Sequence, residues 1–263
     1  MTGVPFSRLV SSDHVRDSRE ALEEILEAPA SSRDVLKDEP RTLIWNSVLP
    51  SGTVAVVKTY RRRSLYDFSR ESITRFRAQR EFDALSFLCR NRIPCVRPLA
   101  WGCGRNSRSG RFESLATVEE RGVVGLKEYL RAGDADERWI EPAASLVRRA
   151  HDVGFYHGAL APRNILVRLP ERGEMACLII DTPKSIVFRR PVTGTRMADH
   201  DLLVFLCEVN NVVGDAAVAG FLARYGMQAV DIPRMLERVR SYRANRNTRN
   251  RMRAEFLLRK IVG

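Results

Sequence analysis

The sequence holds no apolar run approaching the ~18 residues that a membrane span needs. Its longest are Leu202–Cys207 and Ala176–Ile180, so nothing in it is expected to cross a bilayer. The five cysteines form no CxxC pair and no metal-ligand spacing, which argues against a disulfide scaffold or a zinc cluster and leaves reduced, mostly buried thiols. Glycine is too sparse for a collagen-like chain, and no heptad is sustained. Met1-Thr-Gly-Val-Pro-Phe-Ser-Arg8 contains no apolar core of signal-peptide length, which sets a cytoplasmic expectation. Lysine is scarce among the 44 basic residues, at Lys37, Lys58, Lys127, Lys184 and Lys260.

What is present is a chain of 263 residues, 44% hydrophobic, long enough for one large domain or two closely joined lobes. The formal net charge is +12, carried mainly by arginine, a good bidentate ligand for phosphate. That suits an anionic partner, and an Arg-rich codon usage explains it equally well. No zinc-finger, RNA-recognition or helix-turn-helix pattern accompanies the charge, so nucleic acid is not the expected partner.

Residues 1–40 form a polar, Pro-punctuated extension with a helix expected over Arg16–Glu27. Thr42–Val48 and Thr53–Tyr60 read as strands of a hairpin turned at Leu49-Pro50-Ser51-Gly52. Ser72–Arg90 spaces Ile73, Phe76, Leu85 and Leu88 for a helix with one buried face, stopped by Asn91-Arg92-Ile93-Pro94. Val96–Trp101 and Phe112–Val118 complete a β-rich region over 41–118. From 119 to 263 the pattern turns helical, with Leu126–Leu130, Glu137–Val153, Asp199–Val213, Ala216–Tyr225 and Pro233–Ile261. Short strands at Ile165–Val167 and Cys177–Ile180 interrupt it. The expectation is an α+β fold with a cleft between the two parts. Trp45, Trp101 and Trp139 read as packing residues, and His14 and His200 as surface residues.

The most specific stretch is His151-Asp-Val-Gly-Phe-Tyr-His157-Gly158-Ala159-Leu160-Ala-Pro-Arg163-Asn164, followed by an apolar strand. It resembles the catalytic loop of the protein-kinase-like superfamily, whose pattern is His-x-Asp-x-x-x-x-Asn, with Ala159 where the aspartate belongs. Lys58 in Val54-Ala-Val-Val-Lys58, Glu81 on the following helix and Asp181 after Leu178-Ile-Ile fall in the order that this superfamily uses. Thr182-Pro183 replaces the usual Phe-Gly, and no G-x-G-x-x-G separates the first two expected strands, where Gly52 stands alone. Within the superfamily the sequence is similar to the lipopolysaccharide core kinases, which phosphorylate Kdo or heptose sugars. The phrases that carry this are His151–Gly158 and Arg80-Glu-Phe-Asp-Ala-Leu with Ile93-Pro-Cys-Val-Arg-Pro-Leu-Ala. Aminoglycoside phosphotransferases share the His-Gly-Asp form of the loop and remain an alternative.

The resemblance implies a bilobal protein-kinase-like fold, with a small β-rich N-lobe, a mainly helical C-lobe, and a nucleotide cleft where Thr117–Val124 links them. It implies ATP and Mg²⁺ as cofactors, Lys58 and Glu81 at the nucleotide phosphates, Asn164 and Asp181 on the metal, and His157 holding the loop. Asp201, opening a helix, would brace the loop backbone. An aspartate at 159 would accept a hydrogen bond from the sugar hydroxyl and aim it; alanine can do neither. Losing such a base costs ~10²–10⁴ in rate. A natural pseudokinase acting as a nucleotide-binding scaffold, an introduced substitution, and a substitute carboxylate are the three explanations; Asp152 is poorly placed for the last.

The implied substrate is an anionic glycolipid or sugar phosphate. Arg234–Lys260, with nine arginines and one lysine against Glu237 and Glu255, is either a solvated helix face or a peripheral contact for the anionic inner-membrane surface.

Overall fold

The computed structural model describes residues 8–13, 15–27, 35–61, 76–106, 110–132, 136–169 and 174–242. The chain divides into two compact units, Met1–Phe87 with Val96–Arg121, and Leu88–Cys95 with Gly122–Gly263.

The first unit is built on an antiparallel six-stranded sheet, in spatial order β1-β5-β6-β4-β3-β2. The strands are β1 (Arg8–Ser11), β2 (Val35–Glu39), β3 (Thr42–Val48), β4 (Val54–Arg61), β5 (Pro98–Asn106) and β6 (Gly110–Val118). Alternation in β3 and β4 sends Leu43, Trp45, Ala55 and Val57 to one face. There they bury against Leu22, Ile25 and Leu26 of helix α1 (Arg19–Glu27). Val56, Lys58 and Tyr60 therefore project from the opposite face.

The sequence places the first hairpin at Thr42–Val48 and Thr53–Tyr60, but β2 precedes it and pairs with β3. Every residue of β2 is exposed, so it carries no apolar alternation to betray a strand. The first hairpin of the β2–β3–β4 meander is thus closed by Pro40-Arg41, and Gly52 belongs to the second. Helix α2 spans Arg77–Arg90, and residues 72–75 of the expected Ser72–Arg90 helix lie outside the described residues. Its N-terminus is held by the Glu113 carboxylate, which accepts from the Ala78 amide at 2.8 Å and complements the positive helix end.

Helix α2 ends in the second unit with a Schellman turn. The Ile93 amide donates to the Leu88 carbonyl and the Arg92 amide to that of Cys89, with Arg92 left-handed at φ 56°. The second unit continues with β7 (Val123–Gly125), α3 (Leu126–Arg131), a 3₁₀ turn at Glu137–Trp139, α4 (Ile140–Asp152) and β8 (Phe155–Tyr156). β9 (Ile165–Arg168) and β10 (Ala176–Ile179) form a hairpin, and β11 (Ile186–Val187) pairs with β8. Helix α5 (Arg196–Tyr225) starts at a Thr195 cap and breaks at Gly214 (φ 79°, ψ 179°), between the two helices read from the sequence. By length and composition α5 could span a membrane. Its buried residues include His200 and Asp201, and it packs against α4 as a core helix. Within that core Trp139 stacks on Phe221, which meets Phe205 at a tilt, and Trp45 and Trp101 are buried as expected. The last helix among the described residues, α6, is Ile232–Ser241; the rest of the expected Pro233–Ile261 helix beyond Tyr242, with most of its arginines, lies outside them.

Candidate functional site

Lys58 lies on β4 and Glu81 one turn into α2, and the structure brings them together at 3.4 Å. Glu81 is 3% exposed, so it is a core residue of the unit rather than a solvated charge on the helix surface. A carboxylate so buried needs partners, and it has a second one: the Tyr60 hydroxyl donates to Glu81 Oε2 at 2.6 Å. The Lys58 ammonium also lies 5.1 Å from the centre of the Tyr60 ring. Sequence reading missed Tyr60. The available signal was the strand period, which puts residue 60 on the same face as Lys58.

The second unit assembles the other expected residues around the loop from His157 to Asn164. Asp201, fully buried on α5, accepts from the His157 amide at 2.7 Å and the Gly158 amide at 2.9 Å. It braces the loop through its two backbone amides, as the resemblance implied. His151 Nε2 lies 3.5 Å from the same carboxylate, and its Nδ1 meets the Tyr225 hydroxyl at 2.7 Å. Burial pushes the Asp201 carboxyl up, but the His151 hydrogen bond and the surrounding imidazoles outweigh it and hold the group below its ordinary value. Burial also holds the His157 imidazole below its ordinary value, against the pull of Asp201 and Asp181. The His157 ring faces the Ile180 carbonyl, with Nε2 at 3.3 Å.

His200, expected at the surface, is completely buried, and its Nδ1 meets the Tyr156 hydroxyl at 2.8 Å. Its acidic neighbours in sequence, Asp199 and Asp201, concealed an inward-facing turn of a core helix. His14 lies outside the described residues.

Ala159 has only a methyl group where the resemblance expects a carboxylate. Its carbonyl accepts from Asn164 Nδ2 at 2.9 Å, which commits the nitrogen end of that amide to the loop and leaves the oxygen end outside that contact. The Ile180 amide donates to the Asn164 carbonyl at 3.0 Å, so Asn164 and Asp181 emerge from the same end of the β9–β10 hairpin. Asp181 is left-handed at φ 56°, a conformation that aspartate tolerates better than most residues. After Asp181 the chain turns back along the loop: a Cβ on Gly158 would come within 2.7 Å of the Lys184 carbonyl, and Gly158 has φ +74°. Glycine is therefore required there on both counts.

Among the described residues no group of three or more His, Cys, Asp or Glu is disposed to hold a metal ion. One amide oxygen and one carboxylate fit Mg²⁺, which keeps waters and takes substrate phosphate oxygens for its remaining positions. Asp152 is exposed and engaged by Arg148 at 2.9 Å and by the Thr193 hydroxyl, so it offers no replacement carboxylate for position 159.

No curated protein matches the sequence. Among solved structures, the chain is similar to WaaP in complex with acyl carrier protein, at 16% identity and a TM-score of 0.61, covering 89% of this chain and 100% of that one. The Rio2 kinase from Chaetomium thermophilum matches at 16% identity and a TM-score of 0.45, over 78% of this chain and 71% of that one. The first likeness shows the α+β kinase-like fold. The profile of the lipopolysaccharide kinase (Kdo/WaaP) family matches residues 30–225, and the chain belongs to that family.

Proposed function

We propose that this protein binds Mg²⁺-ATP in the manner of its family but is disabled, or severely slowed, in transferring the phosphoryl group to a lipopolysaccharide inner-core sugar. Lys58, oriented by Glu81, neutralises nucleotide phosphates. Asn164 and Asp181 hold Mg²⁺, which supplies charge compensation on the phosphate oxygens. The observation that carries the reading is the Asn164–Ala159 contact. Asn164 is tied to the loop backbone at position 159, and the side chain there, an aspartate in the pattern that the loop resembles, is a methyl group.

Phosphoryl transfer depends mainly on positioning and field, so the retained groups support nucleotide binding without the base. An anionic glycolipid or sugar phosphate remains the acceptor class, with the protein in the cytoplasm or against the inner membrane. The acyl carrier protein bound by WaaP makes a carrier protein a partner to test.

The deciding experiment is Ala159→Asp, assayed for transfer of labelled phosphate from ATP to lipopolysaccharide core acceptors. A disabled kinase gains about 10²–10⁴-fold in rate when its base is restored. No gain, with nucleotide binding intact, would favour the second reading, a natural pseudokinase that serves as a nucleotide-bound scaffold.

A further inference from the structure

Two of the five cysteines meet where α2 hands the chain to the second unit. Cys89 Sγ and Cys95 Sγ are 3.5 Å apart, at van der Waals contact. The Schellman turn that ends α2 accounts for this: Arg92 reverses the chain, and the Ile179 amide then fixes Pro94 by donating to its carbonyl at 3.1 Å. Cys95 itself bridges in parallel to Ile179 on β10, two residues before Asp181. Both sulfurs are thus held by backbone bonds. A small displacement of the exposed Asn91-Arg92 turn suffices to bring them to the ~2.05 Å of a disulfide.

The two differ in access. Cys89 is partly exposed, whereas Cys95 is buried. That is the division of labour of a thiol that meets an oxidant and one that resolves the product. Cys177 offers the contrast, since burial pushes its thiol up to about 12 and leaves almost no thiolate to react.

We infer that Cys89 and Cys95 are a reversible disulfide site, oxidised by a low-molecular-weight disulfide such as oxidised glutathione. The Cys89 thiolate attacks one glutathione sulfur, forming a mixed disulfide and releasing one glutathione thiolate. The Cys95 thiolate then attacks the Cys89 sulfur and expels the second. The two protein thiols lose two electrons, which reduce one glutathione disulfide to two glutathiones, and their two protons pass to the released thiolates. The bond fastens the last turn of α2 to Cys95, the residue that bridges to Ile179 of β10. The site is independent of the phosphotransfer reading.

The test uses the full chain, folded, equilibrated in buffers of stepped reduced-to-oxidised glutathione ratio, acid-quenched, alkylated and digested with trypsin. Cleavage after Arg90 and Arg92 separates the two cysteines, so the bridge joins peptide 81–90 to peptide 93–105. The expected result is that linked pair, with fragmentation placing the bond at Cys89 and Cys95, in most molecules at the oxidising end and lost on return to reduced glutathione. Cys95→Ser is expected to stop at a glutathione adduct on Cys89. The inference is overturned if the unaltered chain accumulates the Cys89 adduct without the link, if the link maps to Cys103, or if neither thiol reacts while the chain stays folded.

Discussion

Tyr60 donates its hydroxyl hydrogen to Glu81 Oε2 at 2.6 Å, a shorter contact than the 3.4 Å between that oxygen and Lys58 Nζ. The buried carboxylate is thus anchored by the tyrosine and shared with the lysine, so the lysine can move to a phosphate without leaving Glu81 unpartnered. Tyr60→Phe removes the anchor and leaves a buried, charged acceptor short of a bond. The expected loss is about 1–3 kcal/mol of stability by denaturant titration, with weaker Mg²⁺-ATP binding alongside.

The loop brace offers a sharper structural test. Asp201 accepts from two backbone amides with no exposure to water. Asp201→Asn replaces one acceptor oxygen with an NH₂ group that confronts an amide hydrogen, and it removes the negative charge beside His151. Disrupting a buried charged network of this kind costs about 3–5 kcal/mol. Denaturation midpoints are expected to fall accordingly.

Acid should destabilise the protein in two stages. The folded state binds a proton at His157 less readily than the unfolded chain, whose imidazole titrates near 6.5. The contribution of His157 is therefore complete above that pH and is lost as pH falls through 6.5 toward the lower folded value. Asp201 contributes above its unfolded value of 3.8, and that contribution is lost as pH falls through its still lower folded value. Denaturant midpoints measured from pH 8 down past the Asp201 stage are expected to drop first below 6.5 and again below 3.8, and His157→Gln is expected to flatten the first drop alone.

Arg92 occupies a left-handed position at the end of α2, where glycine is the usual residue. Its carbonyl, which accepts from Arg149 Nη2 at 2.6 Å, survives substitution. Arg92→Gly is expected to stabilise the protein by about 1 kcal/mol, read as a higher thermal midpoint.

Much of this site was legible in the chain because its chemistry is local. The spacing of His157, Asn164 and Asp181 relative to short apolar strands is set by one loop and one hairpin, and strand alternation placed Lys58. The brace at Asp201 followed from the family resemblance. His151 and Tyr225 escaped because their roles arise from contacts across 50 and 74 residues, which no local period encodes, whereas for Tyr60 the strand period gives the face it shares with Lys58 but not its partner 21 residues away. Strand β2 escaped for the opposite reason: it lies exposed at a sheet edge and has no buried face to pattern. His200 was misjudged because flanking acids suggest a surface, whereas Asp201 itself is buried by its amide partners.

The central claim is that the nucleotide and metal grip survives without a base at position 159. Calorimetric titration of Mg²⁺-ATP into the unaltered protein, Lys58→Ala and Asp181→Asn tests it most directly. Saturable binding to the unaltered protein, weakened about 10-fold or more by each substitution, is the expected result; it corresponds to at least about 1.4 kcal/mol per site. Absence of binding, or binding indifferent to both substitutions, would contradict it.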